Sequence, residues 1–179
     1  RHRRPAGRSA ASKLFSARLI EGKEPALDRL WKRSGHRYPV SIVRDGEHLR
    51  RRFGGHPTVR YHRFMIRPRW SMTPAACVVF RTDGGVVRWV ELVWDGRPGA
   101  IELADHLSRG LAEQTGAERE ELWLDGDPEA VRWLEIFGFE GRPDPSGVVR
   151  VVRFIDNDLE AEAFAPGRVY TTMADADLE

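Results

Sequence analysis

Cysteine is nearly missing: Cys77 is the only one in 179 residues. An internal disulfide is excluded, and with it the small cross-linked secreted scaffolds. A lone thiol inside an apolar strand reads as a core residue of a chain suited to a reducing, cytoplasmic setting. Long hydrophobic runs are missing too. Every apolar stretch is strand-sized, well short of the roughly 20 residues that span a bilayer. Arg1-His2-Arg3-Arg4 is basic, but no apolar segment follows, so no secretory leader is read. The six histidines, His2, His36, His48, His56, His62 and His106, show no metal-ligand spacing, and Cys77 adds no partner. No metal site is expected. No nucleophile-elbow pattern occurs either.

An excess of one charge is also lacking, since the net charge is only +2. The charges are segregated, however. Residues 1–18 carry Arg1, Arg3, Arg4, Arg8, Lys13 and Arg18 with no acid, whereas acids dominate from Asp156 onward. Residues 1–12 have the composition of a basic linker or tail, and 13–179 that of a single domain. With no initiator Met, the expectation is a piece of something longer.

What the sequence has in quantity is a strand–helix unit from Val86 to Gly116. Val86, Val87, Trp89, Val90, Leu92, Val93 and Trp94 are too densely apolar for a half-solvated edge strand. Asp95-Gly96-Arg97-Pro98-Gly99 breaks the run. A helix follows with Leu103, Leu107 and Leu111 on one face, Ala100 and Ala104 beside them, and a stop at Gly116. A central strand feeding a helix start is a place where unpaired N–H groups can hold a phosphate.

The remaining elements follow from local signals. An edge strand is expected in Lys13–Gly22 and a short helix at Ala26–Lys32, with Leu27, Leu30 and Trp31 inward. Tyr38–Val43 reads as extended, and Asp45 caps a helix that Gly54 ends. Arg50, Arg51 and Arg52 fan around that helix, as a solvated or ion-paired face rather than an anion clamp. Strands are predicted at Val59–Arg67 and Ala75–Arg81, the second joined to Val86 by the tight turn Asp83-Gly84-Gly85. Glu120–Leu124 is a short strand. Asp125 and Asp127 are turn and cap residues before a helix that begins at Pro128. Val131, Leu134 and Phe137 give that helix its apolar face. Val148–Ile155 and Arg168–Met173 are further strands. Most of the tryptophans read as core. This order gives an α+β fold, a mixed and mainly antiparallel sheet flanked by helices.

The hairpin ACVVFRTDGGVVRWVELVW, the long helix after it, and DPEAVRWLEIFGFE with its Phe137-Gly138-Phe139 step resemble the GNAT superfamily of acyl-CoA-dependent N-acyltransferases. The segments LDRLWKR, VRDGEHLRRRF followed by HPTVRY, and VYTTMADADL are similar to the C-terminal lobe of two-lobe bacterial GNAT proteins, over residues 26–179. The resemblance implies a GNAT-like domain, an acetyl-CoA or other acyl-CoA cofactor, and an amine-bearing small molecule or protein as acceptor. It also implies a second GNAT lobe, or a homo-oligomer, as partner. Carried over by residue, it places the pyrophosphate contacts at Trp94, Gly96, Arg97, Gly99, Ala100 and Ile101. The backbone N–H that steadies the oxyanion falls among Leu92, Val93 and Trp94.

Two departures bear on activity. With Arg97 in the first place of the family's phosphate motif, Ala100 and Glu102 stand where glycines would let the backbone approach. Leu134 occupies the place of the Tyr that protonates the leaving thiolate, and it cannot donate a proton. The resulting expectation is a lobe with a degenerate CoA loop that completes a two-lobe acyltransferase and alone binds acyl-CoA weakly or not at all. The alternatives are an active acyltransferase and a non-catalytic basic module for nucleic acid or an acidic carrier.

Overall fold

The computed structural model describes residues 10–38, 40–141 and 169–175. Its centre is a five-stranded sheet in the spatial order β1-β2-β3-β4-β5. The strands are β1 (Phe15–Leu19), β2 (Tyr61–Pro68), β3 (Ala76–Asp83), β4 (Val86–Trp94) and β5 (Arg119–Leu122). The first four pair antiparallel, and β5 adds in parallel to β4. Helices cover both faces, so the fold is α+β with a mixed, mainly antiparallel sheet.

Local chemistry accounts for most element ends. Asp83-Gly84-Gly85-Val86 closes the β3–β4 hairpin, and φ values of 55° and 77° at Gly84 and Gly85 are the left-handed pair that matches strand twist. The Asp45 carboxylate accepts from His48 N at 2.9 Å and starts α3 (Gly46–Phe53). Asp127 does the same for α5 (Pro128–Ile136), accepting from Ala130 N at 3.0 Å. Helix α4 (Pro98–Thr115) ends on Gly116 in the left-handed conformation.

The register of β4 is offset by a bulge. Val79 pairs with Glu91, but Phe80 pairs with Trp89, leaving Val90 as an extra residue. The side-chain alternation changes phase there. Val87 and Trp89 before the bulge, and Leu92 and Trp94 after it, all join the core under α4 and α5. Val90 and Val93 join the opposite core, under α2 (Pro25–Ser34) and α3, with Leu27, Leu30, Leu49, Phe53 and Cys77. Both faces of β4 are thereby buried, as its dense apolar run requires. Trp89, Leu111, Leu107, Phe137 and Phe139 share the α4-side core, with the Phe139 ring edge-on to Trp89 at 5.7 Å.

Several boundaries differ from the sequence reading. Ala11 and Ser12 are not tail: they open the short helix α1 (Ala11–Leu14), and Ala11 is buried against the core. Residues 1–9 of the expected linker, the strand expected at Val148–Ile155 and Arg168 lie outside the described residues. The last strand is confined to β7 (Thr171–Thr172), antiparallel to β6 (Leu124–Asp125), so the expected Glu120–Leu124 strand divides between β5 and β6. Among the described residues of the expected extended stretch Tyr38–Val43, Val40 forms a parallel bridge to Val169, while Ile42 and Val43 are exposed. Trp70 is also exposed, and Trp123 and Trp133 are half-buried.

Truncating Leu111 to Ala should cost about 2–5 kcal/mol in a urea titration, because it removes a buried contact between α4 and the sheet. Gly126→Ala should destabilise by more than about 1 kcal/mol in the same assay. Its φ is 80°, and a Cβ there would lie 2.5 Å from the Val169 carbonyl oxygen where β6 meets the C-terminal segment.

Candidate functional site

The β4–α4 junction is where the sequence points to a ligand. Trp94, at the end of β4, is fully buried; its indole N–H donates to Asp127 Oδ2 at 2.6 Å, and the Arg37 guanidinium lies over its ring at 5.0 Å. Gly96 has φ 91°, and a Cβ on it would meet Arg37 Nη1 at 2.6 Å. Arg97 folds back on Asp95, with Nε 2.9 Å from Oδ2. Asp95 also takes Arg33 at 3.2 Å. The one cation of the loop is thus already engaged with an acid beside it.

The first turn of α4 is covered by the start of the domain. A Cβ at Gly99 would lie 2.5 Å from the Phe15 ring, so the small residue there serves packing against β1. Ala100 and Ile101 are fully buried. Glu102 Oε1 accepts from Ala11 N at 3.3 Å, which caps the first turn of α1. Leu134 is buried in the same core, on α5. The predicted contacts Trp94, Gly96, Arg97, Gly99, Ala100 and Ile101 are therefore brought together, but around Phe15, Arg37 and Asp95.

Part of the Leu92–Trp94 backbone has its own partners. β5 pairs with β4 only along Val86–Trp89. Beyond that, Leu92 N donates to Glu91 Oε1 at 3.0 Å, and the Leu92 carbonyl accepts from the Tyr170 hydroxyl. Val93 and Trp94 pair with Cys77 and Ala76 of β3. The C-terminal segment 170–175 thus occupies the side of β4 that β5 leaves.

The sequence reading missed the polar cluster that holds this segment. Glu91 is 1% exposed, and four donors converge on its carboxylate. Oε1 accepts from Arg44 Nε at 3.0 Å, Leu92 N at 3.0 Å and Thr172 Oγ1 at 3.2 Å; Oε2 lies 3.3 Å from His48 Nε2. Arg44 is wholly buried and also binds Asp175 and the Ile42 carbonyl, with Tyr170 against its flat face at 4.8 Å. Tyr170 stacks on Tyr38 at 3.9 Å, and Tyr38 donates to Asp127 Oδ2 at 3.1 Å. The network therefore runs from α3 through β4 to the cap of α5. Its available signal was an acid inside an apolar strand, which requires a buried cation somewhere else in the chain.

Burial alone would push the Glu91 carboxyl up. The Arg44 charge and the His48 hydrogen bond outweigh it and hold Glu91 below the ordinary carboxylate value. For Asp175 burial wins over Arg44, and its carboxyl is raised. Burial raises the Tyr38 and Tyr170 hydroxyls and the Cys77 thiol, so none of these supplies an anion near neutral pH. Among the described residues, no group of three or more His, Cys, Asp or Glu could hold a metal ion. Likewise, no helix is long and apolar enough to cross a membrane.

No protein-family model matches this chain, and no curated protein matches it.

Glu91 stabilises the fold above its unfolded-state value, near 4.5, and that contribution is lost as pH falls through its lower folded-state value. Asp175, with its value raised, has the opposite dependence and favours the fold at low pH. Glu91→Gln should therefore cost about 3–5 kcal/mol at pH 7 by leaving Arg44 short of a partner. It should also flatten the acid limb of stability below about pH 4.5. Denaturant titrations of both proteins at several pH values check the two effects together.

Proposed function

We propose that this chain is a GNAT-type lobe whose acyl-CoA junction has become an internal packing contact, and that it completes an acyltransferase whose catalytic lobe is supplied by a second GNAT lobe or another copy. The observation that carries the reading is Phe15 seated against Gly99, with Glu102 capping α1 beside it. A pyrophosphate at this helix start needs backbone N–H groups within reach and no carboxylate nearby. Here an aromatic ring packs on the small residue, and an acid, Glu102, follows just past the first turn.

The strand and helix order supports the GNAT assignment, and Leu134 in place of an acid supports the non-catalytic role. The substrate of the completed enzyme would be an acyl-CoA with an amine-bearing acceptor. The competing reading, a basic module for nucleic acid or an acidic carrier, draws on the arginines of α3. Two of them are tied to an acid on their own helix: Arg50 and Arg51 each lie 2.7 Å from Glu47. That pairing favours the ion-paired face instead.

Calorimetric titration with acetyl-CoA should give no binding tighter than millimolar for the unmutated chain. A carboxylate within a few ångströms of a phosphate costs about 1–4 kcal/mol, or roughly ten- to thousandfold in affinity. Glu102→Gly should recover little by itself, because Phe15 still covers Gly99. Micromolar binding by the unmutated chain would overturn the degenerate-lobe reading and restore an active acyltransferase.

A further inference from the structure

On the other face of the sheet from α4, an open cavity of about 450 Å³ is lined by Val43, Asp45, Glu47, His48, Arg51 and Arg52. His48 joins this surface to the buried network. Its side chain is 16% exposed, and its Nε2 lies 3.3 Å from Glu91 Oε2. A carboxylate held ionised has no proton to give, so the proton in this contact sits on Nε2. In the neutral imidazole Nδ1 then carries the lone pair.

Glu91 is built as an orienting group. It is fixed by Arg44, Thr172 and the Leu92 amide, it is nearly sealed from solvent, and it keeps its charge despite burial. The imidazole is the one partner of this carboxylate, among those named, that also lines the cavity. The His48 ring also stands edge-on to Phe53 at 6.1 Å, which further limits its rotation.

We propose that His48 and Glu91 form a carboxylate–imidazole pair serving this cavity, in which Nδ1 takes a proton from the O–H or N–H of a small hydroxyl- or amine-bearing ligand. The proton moves from the ligand to Nδ1, the ligand keeps the electron pair, and the imidazolium that forms is stabilised by Glu91 through Nε2. His48 is the proton acceptor and Glu91 the positioning residue. Val43, Arg51 and Arg52 also line the cavity, with Arg51 paired to Glu47. The charged groups around the imidazole are Glu91 on β4, Asp45, Glu47, Arg51 and Arg52 on and beside α3, and Arg44 and Asp175 behind it. This site does not depend on the acyltransferase reading, because it involves neither α4 nor the β4–α4 junction.

The test uses p-nitrophenyl acetate, whose cleavage by water reports a basic, accessible imidazole. The full chain should cleave it at least about tenfold faster than His48→Gln, with His106→Gln unchanged as a control on α4. Glu91→Gln should lower the rate comparably while His48 stays in place. Should that variant not fold, ring-¹⁵N spectra of the unmutated protein decide the positioning role: they should show the neutral His48 ring carrying its proton on Nε2 rather than on Nδ1. Equal rates for the chain and His48→Gln overturn the proposal. A His48 protonated on Nδ1 alone overturns it as well. Loss of acetyl-CoA binding or its absence has no bearing on either outcome.

Discussion

Four donors converge on the carboxylate of Glu91, and the part of the molecule beyond the antiparallel sheet is arranged around that point. A charge in the middle of a strand buried on both faces is costly unless it is paired and its lone pairs are filled. The partners come from three separate stretches. Arg44 and His48 come from α3 and the residue run before it, Leu92 from β4 itself, and Thr172 from the C-terminal segment. Removing any one stretch leaves a buried charge short of partners. The C-terminal segment is therefore held to β4 by these polar contacts together with Met173 and Ala174 packed beside Val90 and Val93, while its two-residue strand β7 pairs with β6.

The bulge at Val90 makes this arrangement possible. In a regular strand Trp89 and Glu91 would share a face, and the acid would enter the core beneath α4. With one extra residue, Glu91 pairs opposite Val79 and meets Arg44 and His48, while Leu92 and Trp94 take over the face that Val87 and Trp89 began. A single irregularity thus keeps Glu91 out of the core beneath α4 and sets its polar network beside the smaller apolar core on the α3 side. It also places the Trp94 indole at Asp127, so the α5 cap and the end of β4 share one carboxylate.

The sequence carried the elements well because their signals are local. Asp45, Asp127, Gly116 and the Asp83-Gly84-Gly85 turn each fix a boundary through contacts within a few residues. The candidate site was legible only as a location. Glycine and arginine positions mark Gly96–Ile101 as a helix start, but nothing within that stretch reveals that Phe15, some 80 residues earlier, packs on Gly99. Periodicity could not reveal the bulge, because every residue of β4 apart from Arg88 and Glu91 is apolar, so no alternation shows where the phase changes. The linker-like composition before Lys13 likewise concealed α1, whose burial depends on Glu102 and α4 rather than on its own propensity.

The two sides of β4 then differ in what they can still accept from solvent. On the α4 side Phe15 packs on Gly99 at the helix start, Arg37 lies over the Trp94 ring and the Trp94 indole is bonded to Asp127, so a ligand would have to displace Phe15 or Arg37 before reaching them. Displacing Phe15 would expose an aromatic ring from the core, at about 1.5–3 kcal/mol, before any contact to phosphate was gained. On the α3 side the polar network ends at His48, which borders an open cavity instead of a second buried partner. The residue that completes the Glu91 shell is also the one through which that shell meets solvent. The part of the central strand's polar network that reaches solvent therefore lies on α3, away from the glycine-marked junction to which the sequence first draws attention.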